Sequence, residues 1–251
     1  MAKQNQTINH LLMNRKYTHI FFDLDNTLWD FETNSRNAML VSFENYRLSQ
    51  RFDFNLFYEV YVRHNHQLWE LYRKNEIAKK ELTQLRFQLT FDELGITGID
   101  AGFMNAHYLD VMPEQKQLND GAIEILQYLK KRRYEISIIT NGFKEVQHKK
   151  IETSGLKPFI TNVYISEEIK IPKPDRGIFE YAIKSSNARK TQSLMIGDDW
   201  EVDVLGAVKF GIDAVHFDRN EISELIQIKN QLSKQCIYRT GALSKLTKVI
   251  D

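Results

Sequence analysis

Two carboxylates lie two residues apart near the start of the chain. The sequence FFDLDNTLWD places Asp23 and Asp25 directly after an apolar, aromatic stretch, and the hydroxyl of Thr27 follows two positions later. Carboxylates are costly to bury unless a cation or hydrogen-bond donors compensate them. In an extended strand, a spacing of two puts both side chains on the same side, where they could flank one reacting group. Taken alone, an Asx-type turn would explain the same residues.

A second acidic cluster follows a later apolar stretch. The sequence GDDWEVD contains four acids within six residues: Asp198, Asp199, Glu201 and Asp203. Acids this close repel one another unless a cation holds them together, and oxygen-only ligands suit Mg²⁺. The alternative is a solvated acidic helix start, which the helix dipole favours. The sequence therefore predicts that acids from both clusters form a magnesium site.

Two further stretches suit a bound phosphate. The hydroxyl of Thr140 is followed by the backbone N–H groups of Asn141 and Gly142 at a predicted helix start, an arrangement that can hold an anion. Lys173 lies between two prolines, which stiffen the backbone on both sides of it. The alternatives are an ordinary helix cap and a rigid loop with an exposed lysine. Together, these residues could surround a phosphoryl group that one acid is free to attack.

Strands and helices alternate over most of the chain. Apolar stretches predict strands at residues 18–24, 135–140, 161–166, 193–199 and 212–217, with a possible sixth at 235–239. Helical periodicity predicts helices at 119–134, 143–154, 177–186 and 204–211, and a last one near 241–250. Such alternation is typical of an α/β fold with a Rossmann-like parallel sheet covered on both faces.

The stretch from 29 to 114 has helical patterns and no convincing strand. It holds more than half of the aromatic residues, as the core of a helical bundle would, and Gly95 is expected to end its third helix. Because it follows the first strand, it lies next to the carboxyl end of the sheet, where α/β proteins bind ligands. We therefore expect a core domain, 1–28 plus 115–251, and an all-helical cap domain, 29–114.

The composition excludes several classes of function. The 34 basic and 33 acidic residues give a formal net charge of +1, which offers no electrostatic case for binding a nucleic acid polymer or a membrane surface. Cys236 is the single cysteine, so neither an intrachain disulfide nor a cysteine zinc site is possible. The first residues are too polar for a signal peptide, and a cytoplasmic location is expected. The oligomeric state is not predicted.

The chain resembles the haloacid-dehalogenase-like superfamily. The resemblance lies in DLDNT at 23–27, TNG at 140–142, KPD at 173–175 and GDDWEVD at 197–203, with a helical insertion after the first motif. It implies an aspartyl-phosphate mechanism with Mg²⁺ as cofactor. The implied roles are nucleophile for Asp23, general acid and base for Asp25, phosphate anchors for Thr140 and Lys173, and metal ligand for Asp198, besides the backbone carbonyl of Asp25. For the outer metal shell, Asp203 is favoured over Asp199.

The surroundings of the TNG motif look most like the house-cleaning pyrimidine 5′-nucleotidases. The implied partner is a small phosphate ester, and the alternatives are a sugar-phosphate phosphatase, a β-phosphoglucomutase-like phosphomutase or a non-catalytic binding protein on the same scaffold. Trp29 and Phe31 could stack on a base, although packing at the hinge is an equal alternative. Arg86 could meet a polar group of the substrate, but solvation on a helix face is the favoured interpretation.

Overall fold

A seven-stranded sheet carries the four motifs. The computed structural model describes residues 16–221, 224–228 and 233–250, and the strands found there are β1 His19–Phe22, β2 Glu135–Thr140, β3 Asn162–Ile165, β4 Ser193–Gly197, β5 Asp213–Phe217, β6 Ile226–Ile228 and β7 Ile237–Thr240. Their order across the sheet is β3-β2-β1-β4-β5-β7-β6. All neighbours pair in parallel except β6, which is antiparallel to β7.

Helices occupy the connections between the strands. In chain order they are α1 Phe31–Asn45, α2 Phe54–Arg73, α3 Lys79–Leu94, α4 Ala101–Val111, α5 Ala122–Lys131, α6 Lys144–Thr153, α7 Ser166–Ile169, α8 Arg176–Ser185, α9 Gly206–Phe210 and α10 Thr247–Ile250. A π-helix, Trp200–Leu205, directly precedes α9. Within the described residues, none of these helices has the length and apolar character needed to cross a membrane.

The strand order explains why distant motifs can meet. Strand β1 lies between β2 and β4, with Phe22 level with Ile138 on one side and with Ile196 on the other. Because the three strands are parallel, their carboxyl ends lie at the same edge of the sheet. The chain leaves β1 for β2 on one side and reaches β4 on the other, which is the kind of switch point where α/β proteins place ligands.

The described residues divide into two compact units. One holds the described parts of Met1–Asp30, Leu118–Lys144 and Gly155–Asp251 and contains the sheet, whereas the other holds Phe31–Gln117 and Glu145–Ser154 and is helical. Most of α6 thus groups with the helical unit, although the sequence analysis placed it in the core domain. The interpretation of 29–114 as a cap domain stays a prediction.

Aromatic side chains fill the core of the helical unit. Its buried rings, packed edge-to-face or tilted against one another, are Phe43, Phe57, Tyr61, Phe87, Phe91 and Tyr108. Such contacts add to the free energy gained from apolar burial. The expectation that aromatic residues form the core of a bundle here agrees with this packing.

Arg86 lies inside that aromatic core and not on a solvated helix face, so the favoured interpretation of this residue is wrong. Its side chain is 3% exposed. Its Nε and Nη2 donate to Asn105 Oδ1 at 2.8 and 2.6 Å, and its Nη1 donates to Asn65 Oδ1 at 3.2 Å. The ring of Tyr108 lies 5.2 Å from the guanidinium carbon. Amide acceptors and aromatic faces make this burial tolerable.

The sheet unit agrees closely with the sequence patterns. Strand β2 has the predicted bounds, and the predicted apolar face of α5, Ala122, Ile125, Leu126 and Leu129, is buried. Strand β6 was not predicted, and the last predicted helix divides into the 3-10 turn Leu243–Leu246 and α10. The polar N-terminal stretch lies, up to residue 15, outside the described residues.

Gly95 ends α3 in the left-handed conformation, as predicted, with φ +65° and open space around the position of a Cβ atom. We expect Gly95→Ala to lower the free energy of unfolding by about 1 kcal/mol, because the only penalty is the backbone conformation. Gly95→Asn should cost less, since Asn visits this region more readily. Urea unfolding measures both variants, and equal stability of Gly95→Ala and the wild type would contradict the prediction.

Candidate active site

A tight turn at the end of β1 places the first acids. The backbone N–H of Asp23 donates to Ile196 O at 2.8 Å, so the chain stays paired with β4 one residue beyond β1. Asn26 then takes a left-handed conformation with φ 60°, and its N–H donates to Trp29 O at 2.7 Å. The side chain of Trp29 is fully buried, which leaves no ring face for a base.

Asn119 holds this turn by hydrogen bonds to its carbonyls, a contact that the sequence analysis missed. The Nδ2 of Asn119 donates to Asn26 O at 2.7 Å and to Thr27 O at 3.1 Å. Its backbone N–H donates to Leu28 O at 3.0 Å. At 7% exposure, Asn119 has little access to water as an alternative partner. The turn that carries Asp25 is therefore held by a residue from a different segment, 94 positions after Asp25 in the sequence.

Lys173 joins acids from two motifs. Its Nζ lies 2.5 Å from Asp23 Oδ1 and 2.6 Å from Asp203 Oδ1, and all three side chains are buried. Asp198 completes the group, because carboxylate oxygens of Asp23, Asp198 and Asp203 all lie within 4.8 Å of one another. The hydroxyl of Thr27 donates to Asp198 Oδ1 at 3.2 Å. We call these four side chains, of Asp23, Lys173, Asp198 and Asp203, the carboxylate cluster.

Burial and mutual repulsion raise the pKa of each acid in the carboxylate cluster. Burial raises the pKa of Asp23 to about 7; Lys173 opposes this rise, while Asp203 and Asp25 add to it. Burial, Asp23 and Asp203 raise the pKa of Asp198 to about 9. The pKa of Asp203 is also raised, chiefly by burial and against the effect of Lys173. Burial favours neutral Lys173, but Asp203 and Asp23 outweigh it and raise the pKa of the lysine.

The charges of the carboxylate cluster fit a divalent cation. When ionised, its three carboxylates carry three negative charges and Lys173 carries one positive charge, which leaves two negative charges to balance. The available donors are all oxygen atoms, the ligand type that Mg²⁺ prefers. Burial is the main cause of the raised pKa values of these acids, and a bound cation would favour their ionised forms. The residues present therefore suit a magnesium ion.

Asp199 and Asp203 have different positions despite lying in the same motif. The carboxylate of Asp199 accepts from the backbone N–H groups of Glu201 and Val202 at 3.0 Å each, so it caps the π-helix. Asp203 lies within that helix and points its carboxylate at Lys173. This geometry supports the preference for Asp203 over Asp199 near the metal, although its role as a ligand stays a prediction.

Gly197 makes room for Asp203. A Cβ atom at Gly197 would lie 2.3 Å from Asp203 Oδ2 and 2.5 Å from Asp203 Cβ. Real Cβ atoms essentially never approach other heavy atoms this closely. The last residue of β4 therefore has to be glycine for the π-helix to bring Asp203 back over the end of the strand.

The TNG motif fixes the backbone that carries Lys173. The Nδ2 of Asn141 donates to Lys173 O at 2.9 Å, and the N–H of Lys173 donates to Asn141 Oδ1 at 2.8 Å. Thr140 is buried at the end of β2, and its hydroxyl accepts from the N–H of Gly142 at 3.4 Å. Only the backbone of Asn141 was predicted to belong to the site, and the reciprocal contact of its side chain was not predicted.

Comparison with known proteins identifies the family to which the chain belongs. Residues 17–211 match the family of haloacid dehalogenase-like hydrolases, so the chain belongs to that family. It is 30% identical over 236 residues to the pyrimidine 5′-nucleotidase PynA of Streptococcus pneumoniae, covering 94% of this chain and 95% of PynA. It is 31% identical over 198 residues to the pyrimidine 5′-nucleotidase YjjG of Escherichia coli, covering 78% and 84% of the two chains.

A solved structure supports the fold. The magnesium-bound HAD-hydrolase YfnB of Bacillus subtilis superposes with a TM-score of 0.80 at 24% identity, covering 94% of this chain and 99% of YfnB. The predicted fold class and the predicted family are therefore confirmed. The predicted class of enzyme, a phosphoric monoester hydrolase, is confirmed by the family together with its phosphatase relatives.

The close contact at Gly197 can be tested by a double-mutant cycle. We expect Gly197→Ala to lower the free energy of unfolding by about 2 kcal/mol or more, because the new methyl group overpacks against Asp203. In an Asp203→Gly background, which removes the side chain that it would meet, the same substitution should cost less than about 1 kcal/mol. Urea unfolding of the four proteins gives the coupling, and equal costs in both backgrounds would show that the contact is unimportant.

Proposed function

We propose that the protein is a Mg²⁺-dependent phosphomonoester hydrolase that acts through an aspartyl-phosphate, with pyrimidine nucleoside monophosphates as its substrates. The observation that carries the proposal is the carboxylate cluster, in which Lys173 contacts the buried acids Asp23 and Asp203, the partly buried Asp198 lies beside them, and the ionised acids leave two negative charges uncompensated. A phosphate ester is itself anionic, so a site built to accept it near carboxylates needs both Lys173 and a metal.

In the first half of the reaction, Asp23 forms a bond to phosphorus. Its carboxylate oxygen attacks the phosphoryl group while the bond from phosphorus to the ester oxygen breaks. Asp25, in its protonated form, gives its proton to the departing oxygen, which leaves as an alcohol. Lys173 lies 2.5 Å from Asp23 and offsets the negative charge that meets the incoming phosphate.

In the second half, water releases the phosphate. Asp25 is now ionised and takes a proton from a water molecule, whose oxygen attacks phosphorus and breaks its bond to Asp23. Free phosphate leaves, Asp23 is again a carboxylate, and Asp25 is again protonated. Asp25 is only partly buried, which suits a group that must exchange protons with water.

The metal would be held by oxygen atoms of two motifs. The proposed ligands are the carboxylates of Asp23, Asp198 and Asp203, the last in the outer shell, and the backbone carbonyl of Asp25. When bound, Mg²⁺ supplies positive charge that neutralises phosphoryl oxygens and keeps the nearby carboxylates ionised. The proposed contacts of the remaining phosphoryl oxygens are Thr140, the backbone N–H groups of Asn141 and Gly142, and Lys173.

The choice of substrate rests on relatives. PynA and YjjG are both named pyrimidine 5′-nucleotidases, and PynA aligns over 94% of this chain. The choice of metal draws on the donor atoms of the carboxylate cluster and on YfnB, whose structure contains magnesium. The names of these relatives favour a nucleotidase over the sugar-phosphate phosphatase and phosphomutase alternatives.

Phosphate release from a panel of esters tests this function. We expect the wild type with Mg²⁺ to hydrolyse UMP and dTMP with a kcat/KM at least about tenfold above that for hexose phosphates, a difference worth about 1.4 kcal/mol in the transition state. A chelator should abolish the activity because the carboxylate cluster then lacks its cation. Asp23→Asn keeps the size of the nucleophile but removes its charge, and the activity of this variant should be lower than that of the wild type by about 1,000-fold or more.

Each alternative has its own outcome in this assay. Preference for hexose phosphates would refute the nucleotidase assignment, and transfer to a second hydroxyl of a sugar phosphate in place of phosphate release would indicate a phosphomutase. Wild-type activity no higher than that of Asp23→Asn on every ester would favour a binding protein.

The affinity for Mg²⁺ should rise with pH. Metal binding has to displace protons from acids whose pKa values are raised to about 7 for Asp23 and about 9 for Asp198. In the metal-free protein, the folded state holds these protons at pH values where the unfolded chain has lost them, so its stability falls as pH rises above about 4. We expect the increase in Tm on adding Mg²⁺ to be small at pH 6 and clearly larger at pH 8.

A control variant separates this effect from general effects of pH. Asp198→Asn removes one proposed ligand and one titrating group, and should show little increase in Tm with Mg²⁺ at either pH. An increase of the same size at pH 6 and pH 8 in the wild type would contradict proton displacement as its cause.

A further inference from the structure

A histidine beside the carboxylate cluster contacts the backbone of Asp198. His216 lies on β5, one strand away from Asp198, and is 8% exposed. Its Nε2 lies 2.9 Å from the carbonyl oxygen of Asp198. A carbonyl oxygen can only accept a hydrogen bond, so Nε2 carries the proton and donates. We propose that His216 is a positioning residue that holds the backbone of Asp198 and thereby directs the Asp198 carboxylate toward the metal.

Neighbouring side chains fix the orientation of the imidazole. Trp200 meets His216 edge-to-face, with ring centroids 5.5 Å apart and an interplanar angle of 76°. The guanidinium of Arg239 lies 5.5 Å from the Trp200 ring, and Arg239 is level with His216 on the adjacent strand β7. Glu221 Oε1 lies 3.3 Å from Arg239 Nη1. The ring of His216 therefore packs against Trp200 and is shielded from solvent.

The other ring nitrogen, Nδ1, makes a histidine energetically unfavourable at this position. Nδ1 of His216 is buried and has no hydrogen-bond partner among the described residues. A buried acceptor without a partner is unfavourable, and an apolar ring of similar size would avoid this penalty. The hydrogen bond from Nε2 is the property that such a ring could not supply. This supports a specific need for a donor at the end of β5.

Asp198 is thus held at two points. Thr27 donates to its carboxylate, and His216 donates to its carbonyl, where β4 gives way to the π-helix. With the backbone fixed, the side chain has fewer orientations to lose when a metal binds. Groups that orient metal ligands commonly change metal affinity or activity by 10- to 100-fold when they are removed. The inference rests on the proposed metal site, because its effect is on the affinity of that site.

Two variants separate the hydrogen bond from the packing. His216→Phe keeps an aromatic ring against Trp200 but has no donor, whereas His216→Gln keeps a donor at a similar reach. We expect His216→Phe to weaken Mg²⁺ binding by about tenfold in calorimetric titrations without substrate. At saturating Mg²⁺, its kcat should fall by about tenfold while KM changes less than about threefold. His216→Gln should stay within about threefold of the wild type in all three quantities.

The outcomes distinguish this inference from the function on which it rests. Unchanged Mg²⁺ affinity in His216→Phe, or equal loss in His216→Gln, would overturn the positioning role while leaving the proposed function intact. Absence of Mg²⁺ binding by the wild type would overturn the proposed metal site itself. Should His216→Phe not fold, nitrogen NMR of histidine-labelled wild type still decides, because a His216 ring protonated at Nδ1 alone would exclude the donation from Nε2.

Discussion

The close approach of three carboxylates, two of them buried against Lys173, is the constraint that the sheet unit has to satisfy. Moving carboxylates out of water is costly, and removing one partner of a buried charge pair costs even more. Lys173 contacts two of the three acids, and with all three ionised two negative charges remain uncompensated. Burial, together with repulsion between the acids, raises the pKa values of Asp23 and Asp198. Such an arrangement suits a bound cation and, under the proposed function, an anionic substrate beside it.

The fold holds the side chains of the carboxylate cluster close together, although they come from segments that are distant in the sequence. Parallel strands bring β1 and β4 to one edge, and hydrogen bonds then hold the irregular backbone beyond them. Asn119 binds the carbonyls of the first turn, Asn141 binds the backbone of Lys173, and Asp199 caps the π-helix. All three use short polar side chains that reach backbone groups directly, which suits loops where sheet pairing has ended.

The sequence was sufficient for the parts of the structure that follow local rules. Strand β2 and the buried face of α5 could be predicted because apolar periodicity reports burial directly. The convergence of Asp23, Lys173 and Asp203 could be predicted because motifs at the ends of parallel strands share an edge. The contacts of Asn119 and His216 could not, since each is a single polar residue whose partner lies in a different segment and carries no local sequence signal. The position of Arg86 was predicted wrongly because helical periodicity does not reveal that Asn105, on another helix, accepts its hydrogen bonds.

The two acids of the first motif illustrate how one strand end can serve two kinds of chemistry. Asp23 is buried, which raises its pKa, and the positive charge of Lys173 opposes this rise and so favours the ionised form that the proposed nucleophile requires. Asp25 lies two residues after Asp23 and is only partly buried. It belongs to the turn whose backbone carbonyls accept hydrogen bonds from Asn119. Under the proposed function it must gain and lose a proton in every cycle, for which contact with water is an advantage. Identical side chains can thus take different roles because the backbone gives one a fixed cationic partner and the other a route to solvent.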